Sequence, residues 1–256
     1  MSNSSVVEAA RRALGPVGAF LPVPTTSAPP IDLQRDGVRR LEGAGYRAAW
    51  TNETVGGKDA LVQLAVLLAA TERMTFGTGI ANIWARSAPT AHGAATVLAQ
   101  AYPDRFVLGL GVGYPEQAAS VDREFGRPLA TMRAYLDRMG APTQLPAADV
   151  AYPRIIGANG PKMLALAGEI ANGAMPAGRP PEFTAEARQV LGPDKLLVIF
   201  MQASAEQGDA AAITALVREH LAAGADHVIA GLPIGTEFAA GVDRLAELAP
   251  ALAAVR

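Results

Sequence analysis

The sequence predicts an α/β fold built as a single (β/α)8 TIM barrel, and three observations carry this. Short apolar runs rich in β-branched and aromatic residues alternate with stretches of helical periodicity eight times over. Sharing 256 residues among eight such units leaves about 32 for each, the size of a βα repeat. No linker, charge block or low-complexity stretch divides the series, so residues 1–256 read as one domain. A doubly wound sheet alternates in the same way but seldom needs eight strands in so short a chain.

Residues 1–16 predict a short helix leading into the barrel. Val17 to Val23 (VGAFLPV), bounded by Gly15-Pro16 and Pro24, makes the first strand. Asp32 to Gly45 follows as a helix, with Leu33, Val38 and Leu41 at helical spacing, Asp32 as a possible N-cap and Gly45 as a stop. Tyr46 to Thr51 is the second strand and ends abruptly in polar Thr51-Asn52-Glu53. Asp59 to Glu72 is a helix apolar round most of its surface, and Ala91 to Tyr102 a weaker version of it. Such helices need covering from outside the barrel, which predicts a homodimer using both; coverage by flanking helices is the alternative.

Thr75 to Ile83 is the third strand and Phe106 to Gly111 the fourth. Leu129 to Met139 is a helix, and Gly140 to Ala151, rich in Pro and Ala, a loop. A brief fifth strand at Ile155 to Gly157, a helix from Pro161 to Ile170 and a short sixth strand at Gly173 to Pro176 come next. Leu196 to Met201 (LLVIFM) is a strand of fully buried type. A helix from Ala211 to Ala223, a last strand from His227 to Ala230 and a helix from Phe238 to Leu252 complete the barrel. The helices after the fourth and fifth strands read as shortened.

Composition narrows the chemistry. The absence of cysteine excludes disulfides, thiolate metal sites and a cysteine nucleophile. A net charge of −2 lacks the basic bias of nucleic-acid binding. No apolar run approaches the roughly 20 residues that span a bilayer, and the first residues lack the order of a signal peptide, which predicts a cytoplasmic protein. The glycines of Phe106 to Glu116 (FVLGLGVGYPE) miss the dinucleotide spacing G-x-G-x-x-G in both registers, because Tyr114 or Glu116 stands where the third glycine belongs.

Functional residues of such a barrel gather at the carboxyl ends of the strands. Those ends hold Pro22 to Pro24, Thr51 to Glu53, Ala81 to Trp84, Gly111 to Tyr114, Ala158 to Gly160, Pro176 to Gly178 and Gln202 to Ser204. The set contains no histidine and one carboxylate, Glu53, so neither a metal site nor a Ser-His-Asp arrangement can be assembled. Glycines, amides, aromatics and one acid suit a cofactor that carries its own chemistry. Glycines at 109, 111 and 113 would admit a planar ring closely, or merely allow a turn. Ala158-Asn159-Gly160-Pro161-Lys162 opens a helix whose free amides and nearby Lys162 make an anion site, or an ordinary solvated helix start.

A strand ending GLGVG, after a helix closing on Tyr102-Pro103-Asp104-Arg105-Phe106, resembles the luciferase-like monooxygenase superfamily. The resemblance runs from Gly18 to Leu248 and is most specific at Ala70 to Arg86, Pro103 to Gly113 and Ile156 to Pro176. It implies a (β/α)8 barrel that binds coenzyme F420 or, alternatively, FMN, and a hydride transfer between the deazaflavin C5 and a small organic substrate. It also implies a bulge at Ile80, Ala81 and Asn82, often with a cis peptide not involving proline, behind the ring, with Gly111, Val112 and Gly113 beside it. Ala158, Asn159, Gly160 and Lys162 would hold the phosphate, and Arg86 and Arg179 would meet the acidic tail of F420. Trp84 and Tyr114 would face substrate, though Trp84 equally suits packing. Relatives often have Asp or His where this chain has Asn52 and Glu53, so these two are the catalytic candidates; Glu53 could equally pair with Lys58 at the surface. An FMN-dependent monooxygenase and a non-catalytic cofactor- or metabolite-binding barrel are the alternatives.

Overall fold

The computed structural model of the protein describes residues 3–25, 27–202 and 210–255. The elements are α1 (Asn3–Leu14), β1 (Val17–Phe20), α2 (Ile31–Gly43), β2 (Ala48–Thr51), α3 (Ala60–Ala70), β3 (Thr75–Thr78), β4 (Ala81–Asn82), α4 (Ala88–Ala101), β5 (Phe106–Gly111), α5 (Pro115–Ala119), α6 (Pro128–Met139), β6 (Arg154–Gly157), α7 (Pro161–Ile170), β7 (Gly173–Met175), α8 (Pro181–Leu191), β8 (Leu196–Gln202), α9 (Ala210–Ala222), β9 (His227–Gly231) and α10 (Phe238–Ala253). The strands pair in parallel in the order β3-β2-β1-β9-β8-β7-β6-β5-β4, and a further β3–β5 pairing closes the sheet. Because β4 continues the line of β3, the nine strands fill eight positions and make the expected (β/α)8 barrel.

The third predicted strand is thus two pieces. Gly77 stands opposite Val107 and Ala81 opposite Leu110, so one extra residue is accommodated between the two pairings, a bulge. The peptide bond Gly79–Ile80 within it is cis.

Alternation along the strands decides which side chains face the barrel axis. Ala48, Trp50, Val107, Ile155, Leu196, Val198 and Ile229 point inward and cluster with Val7, Ala10 and Leu14 of α1, which stoppers the amino end of the barrel. The residues between them, such as Ala49, Leu108, Ile156, Leu197 and Val228, lie under the helices in a larger outer cluster. Inside, Trp50 Nε1 donates to His227 Nε2 at 3.0 Å, and His227 Nδ1 donates to the Gly15 carbonyl at 2.7 Å. Burial lowers the His227 pKa to about 4, which keeps the ring neutral. Gly77 makes room for the indole, since a Cβ there would lie 2.2 Å from Trp50 Cζ3. Below, Asp226 accepts from Arg11 of α1 at 3.0 Å, from Arg188 of α8 at 2.6 Å and from the Leu197 amide at 2.8 Å.

Three local expectations change. Asp32 does not cap α2: Pro30 holds the N-cap position, and Asp32 sits in the first turn beside Arg35. Tyr114 to Arg127 and Arg179 to Thr184 carry no motif and read from sequence as loops, yet the first contains the short α5 and the second runs into the helix Pro181–Leu191. No helix among the described residues is long and apolar enough to cross a membrane.

Candidate active site at the carboxyl end of the barrel

The floor of the barrel mouth is apolar. Phe20 and Met175 finish the interior cluster, and Val23, Ile80 and Phe200 pack on it half-buried. The Phe20 and Phe200 rings meet edge-on at 4.8 Å. Ile80 reaches this position because the bulge leans across the barrel, and the glycines of β5 permit the lean. A Cβ on Gly109 would lie 2.0 Å from the Thr78 carbonyl oxygen, and one on Gly111 2.7 Å from Ile80 Cδ1. The first task of these glycines is therefore to admit the bulge, and the bulge presents Ile80 as the floor.

A set of amide bonds holds the bulge against the turn after β5. Asn82 Nδ2 donates to Gln117 Oε1 at 3.0 Å, and the same oxygen accepts from the Tyr114 amide at 2.9 Å. Asn82 Oδ1 accepts from the Trp84 amide at 3.0 Å. The Trp84 indole donates to the Val112 carbonyl at 2.7 Å, and its ring packs 5.9 Å from Phe125. Gly113 adopts φ +57, and a Cβ there would strike Gln117 Oε1 and Asn82 Nδ2 at 2.0 and 2.5 Å. Trp84 therefore pins the loop with its polar edge, whereas Tyr114 is 70% exposed at the rim.

Glu53 is neither at the surface nor paired with Lys58. Its carboxylate is buried and accepts from the Ala60 amide at 3.1 Å, the Asn82 amide at 2.7 Å and Arg86 Nη2 at 2.6 Å. Arg86 also pairs with Asp59 at 2.6 Å, and Asp59 caps α3 by accepting from Val62. The guanidinium beside Asp59, together with the Val62 amide, holds the Asp59 carboxyl below its usual range against the opposing effect of desolvation, the largest single influence. One carboxylate thus joins the end of β2, the start of α3 and the bulge. Arg86, expected at the acidic tail of F420, is committed to this clamp. Arg179 is exposed, its guanidinium 4.4 Å from the centre of the Phe183 ring.

Lys58, which sequence reasoning treated only as a surface partner, is half-buried, and Nζ donates to Thr51 Oγ1 at 2.9 Å and Asn52 Oδ1 at 3.0 Å. The signal was its rarity: it is one of three lysines, placed in the glycine-containing loop directly after a strand end. Across the mouth, Asn159 Oδ1 accepts from the Ala177 amide at 2.8 Å and ties the turn after β6 to that after β7. Gly160 is the N-cap of α7, with nothing within 4 Å of where its Cβ would be, and Lys162 is exposed in the first turn. Among the described residues no acceptor engages the Asn159 or Gly160 amide. Ala203 and Ser204 lie outside the described residues, among which no group of three or more His, Cys, Asp or Glu could hold a metal.

The residues present fit a flat aromatic cofactor with a phosphate. The floor offers Ile80 and Phe200 with no ionised group, the β5 turn adds backbone without side chains at Gly111 and Gly113, and the α7 start offers open amides at the positive end of a helix dipole.

The model of a family described as luciferase-like monooxygenase matches residues 17–192. Over 169 residues the chain is 27% identical to a 5,10-methylenetetrahydromethanopterin reductase of Methanolobus tindarius, covering 58% of this chain and 51% of that protein. Over 173 residues it is 30% identical to a Mycobacterium tuberculosis protein assigned by name to the coenzyme F420-dependent oxidoreductases, covering 54% and 49%. The chain thus spans about half the length of the curated relatives it matches. A solved F420-dependent secondary alcohol dehydrogenase in complex with an F420-acetone adduct superposes with a TM-score of 0.74 over 93% of this chain and 98% of that one, at 14% identity, a likeness of fold.

Proposed function

The chain belongs to the luciferase-like monooxygenase family, and from that premise we propose an oxidoreductase that binds coenzyme F420 and moves hydride between its C5 and a small organic substrate. The observation that carries this reading is the flat apolar floor that Ile80 makes at the barrel mouth, set against the glycines of the β5 turn. The Mycobacterium tuberculosis relative, whose name places it among the coenzyme F420-dependent oxidoreductases, supports it.

In this reading Ile80, Ala81 and Asn82 back the ring, and Gly111, Val112 and Gly113 border it. Asn159 and Gly160 hold the phosphate through their open amides, with Lys162 adding charge, while the amide of Ala158 is spent on the Met175 carbonyl at 3.2 Å and that residue only shapes the turn. Bound F420 supplies the hydride chemistry; the protein orients it and excludes water. Glu53 acts by position, because its oxygens are taken by two amides and Arg86. Trp84 shapes the substrate side while pinning the Val112 carbonyl, and Tyr114 closes the rim.

Fluorescence titration with F420 and, separately, FMN tests the reading. Micromolar binding of F420 with weaker FMN binding is expected. Preference for FMN would move the function to flavin-dependent oxygenation, and binding of neither would overturn the cofactor assignment.

We also propose a homodimer through α3 and α4. Neither helix carries a charged residue, and Val62 and Val97 are each 64% exposed on them. Sedimentation velocity of the purified protein decides the point, a monomer at micromolar concentration overturning it.

A further inference from the structure

Lys58 is a half-buried cation with no carboxylate partner among the described residues. Its two hydrogen bonds go to the neutral oxygens of Thr51 and Asn52, and among the described residues no carboxylate lies within ion-pair distance. The charged groups around it are occupied elsewhere. Glu53 is taken by Arg86 and the Ala60 and Asn82 amides, and Asp59 by Arg86 and the Val62 amide, while Gln63 of α3 meets Thr51 from the other side at 3.0 Å. An ammonium has three donors, so one N–H of Lys58 stays open. The same bond orients Asn52: its oxygen faces Lys58, and its Nδ2 has no acceptor among the described residues. Two open donors therefore sit together at the carboxyl end of β2, where the rim has no histidine and its carboxylate is engaged.

We propose that Lys58 Nζ and Asn52 Nδ2 form a donor pair that receives the reacting oxygen of a carbonyl or alcohol substrate, with Lys58 moving the proton. The proposal rests on the oxidoreductase reading above. In reduction, Lys58 Nζ gives one proton to the oxygen as a hydride from the bound deazaflavin adds to the carbon. The C=O bond becomes CH–OH, and the neutral amine recovers a proton from water. Oxidation runs the reverse, the amine taking the hydroxyl proton as hydride leaves the carbon. Burial helps: desolvation lowers the Lys58 pKa to about 8 against the opposing charge of Glu53, nearer the value suited to proton transfer at neutral pH.

With three lysines in the chain, site-resolved amine labelling with a limiting activated ester tests the proposal on the protein without cofactor. Acetate is the probe, because its oxygens carry the charge a carbonyl oxygen develops in the reaction. Lys58 should label with a midpoint near pH 8, and acetate should slow its labelling several-fold while leaving Lys195, whose Nζ is held by the Ala171 carbonyl, unaffected. Asn52→Leu should remove that protection, and Lys58→Met should bind F420 as the parent does. Acetate without effect on Lys58, an equal effect on Lys195, or full protection surviving in Asn52→Leu would each overturn the donor pair. Failure of the parent protein to bind F420 would overturn the cofactor reading instead, and the labelling result is read separately.

Discussion

Lowering the pH from 7 towards 4 should destabilise the barrel through one side chain, His227. The unfolded chain titrates this histidine at about 6.5, while its fully buried place against Trp50 and Gly15 lowers the folded value to about 4. The native state therefore binds fewer protons than the unfolded one across that window. The stability linked to His227 is fully present above about pH 6.5, is lost as pH falls, and is gone by about pH 4. At about 1.4 kcal/mol per unit of pKa, the loss comes to roughly 3 kcal/mol, a sizeable part of the stability of an ordinary domain. Urea unfolding of the parent and of His227→Gln across this range measures it, since glutamine can still accept from the indole and donate to the Gly15 carbonyl. His92 and His220, whose pKa values burial also lowers, are present in both proteins, so the difference reads the replacement at position 227. The stability gap in favour of the parent should shrink by roughly 3 kcal/mol between pH 7 and 4. Parallel curves would refute the reasoning.

Gly77→Ala forces a methyl group into the Trp50 ring and should cost about 3 kcal/mol in thermal or urea unfolding; a loss below about 1 kcal/mol would show that the indole can move aside. Glu53→Gln leaves Arg86 with Asp59 as its only carboxylate among the described residues, and should lower stability by about 2–4 kcal/mol. Because the Asn82 amide loses an ionised acceptor, F420 affinity should fall with it in the fluorescence titration. A variant that keeps both affinity and stability yet no longer turns over would return Glu53 to a proton-transfer role.

The strands were legible because a wall buried on both faces writes continuous apolar runs. Phe106 to Gly111 and Leu196 to Met201 could be bounded to within a residue. The bulge was expected at Ile80 to Asn82 from resemblance, yet its cause lies thirty residues on, in the inward glycines of β5, and no local pattern announces it. The α8 helix is hidden behind Arg179 to Thr184, which reads as a loop without a motif, although Phe183, Thr184, Ala187 and Leu191 recur with the period of one buried helical face. For the candidate site, residue types at strand ends were readable and their partners were not. That Glu53 meets Arg86, or that Lys58 meets Asn52 and no acid, depends on how loops settle over a closed barrel.

The stopper formed by α1 has a consequence for how the molecule comes together. Arg11 finds Asp226 across 215 positions of chain, and the Gly15 carbonyl finds His227 across 212. During synthesis α1 is made before any strand of the barrel, yet its docking surface includes Leu196, Val198 and Ile229, which belong to the last two strands, β8 and β9. Every earlier βα unit must wait with one edge of its sheet unpaired until β9 arrives to meet β1. Closing the ring and seating the helix are thus a single late step of high contact order, and the partly made chain is the form most exposed to wrong pairing.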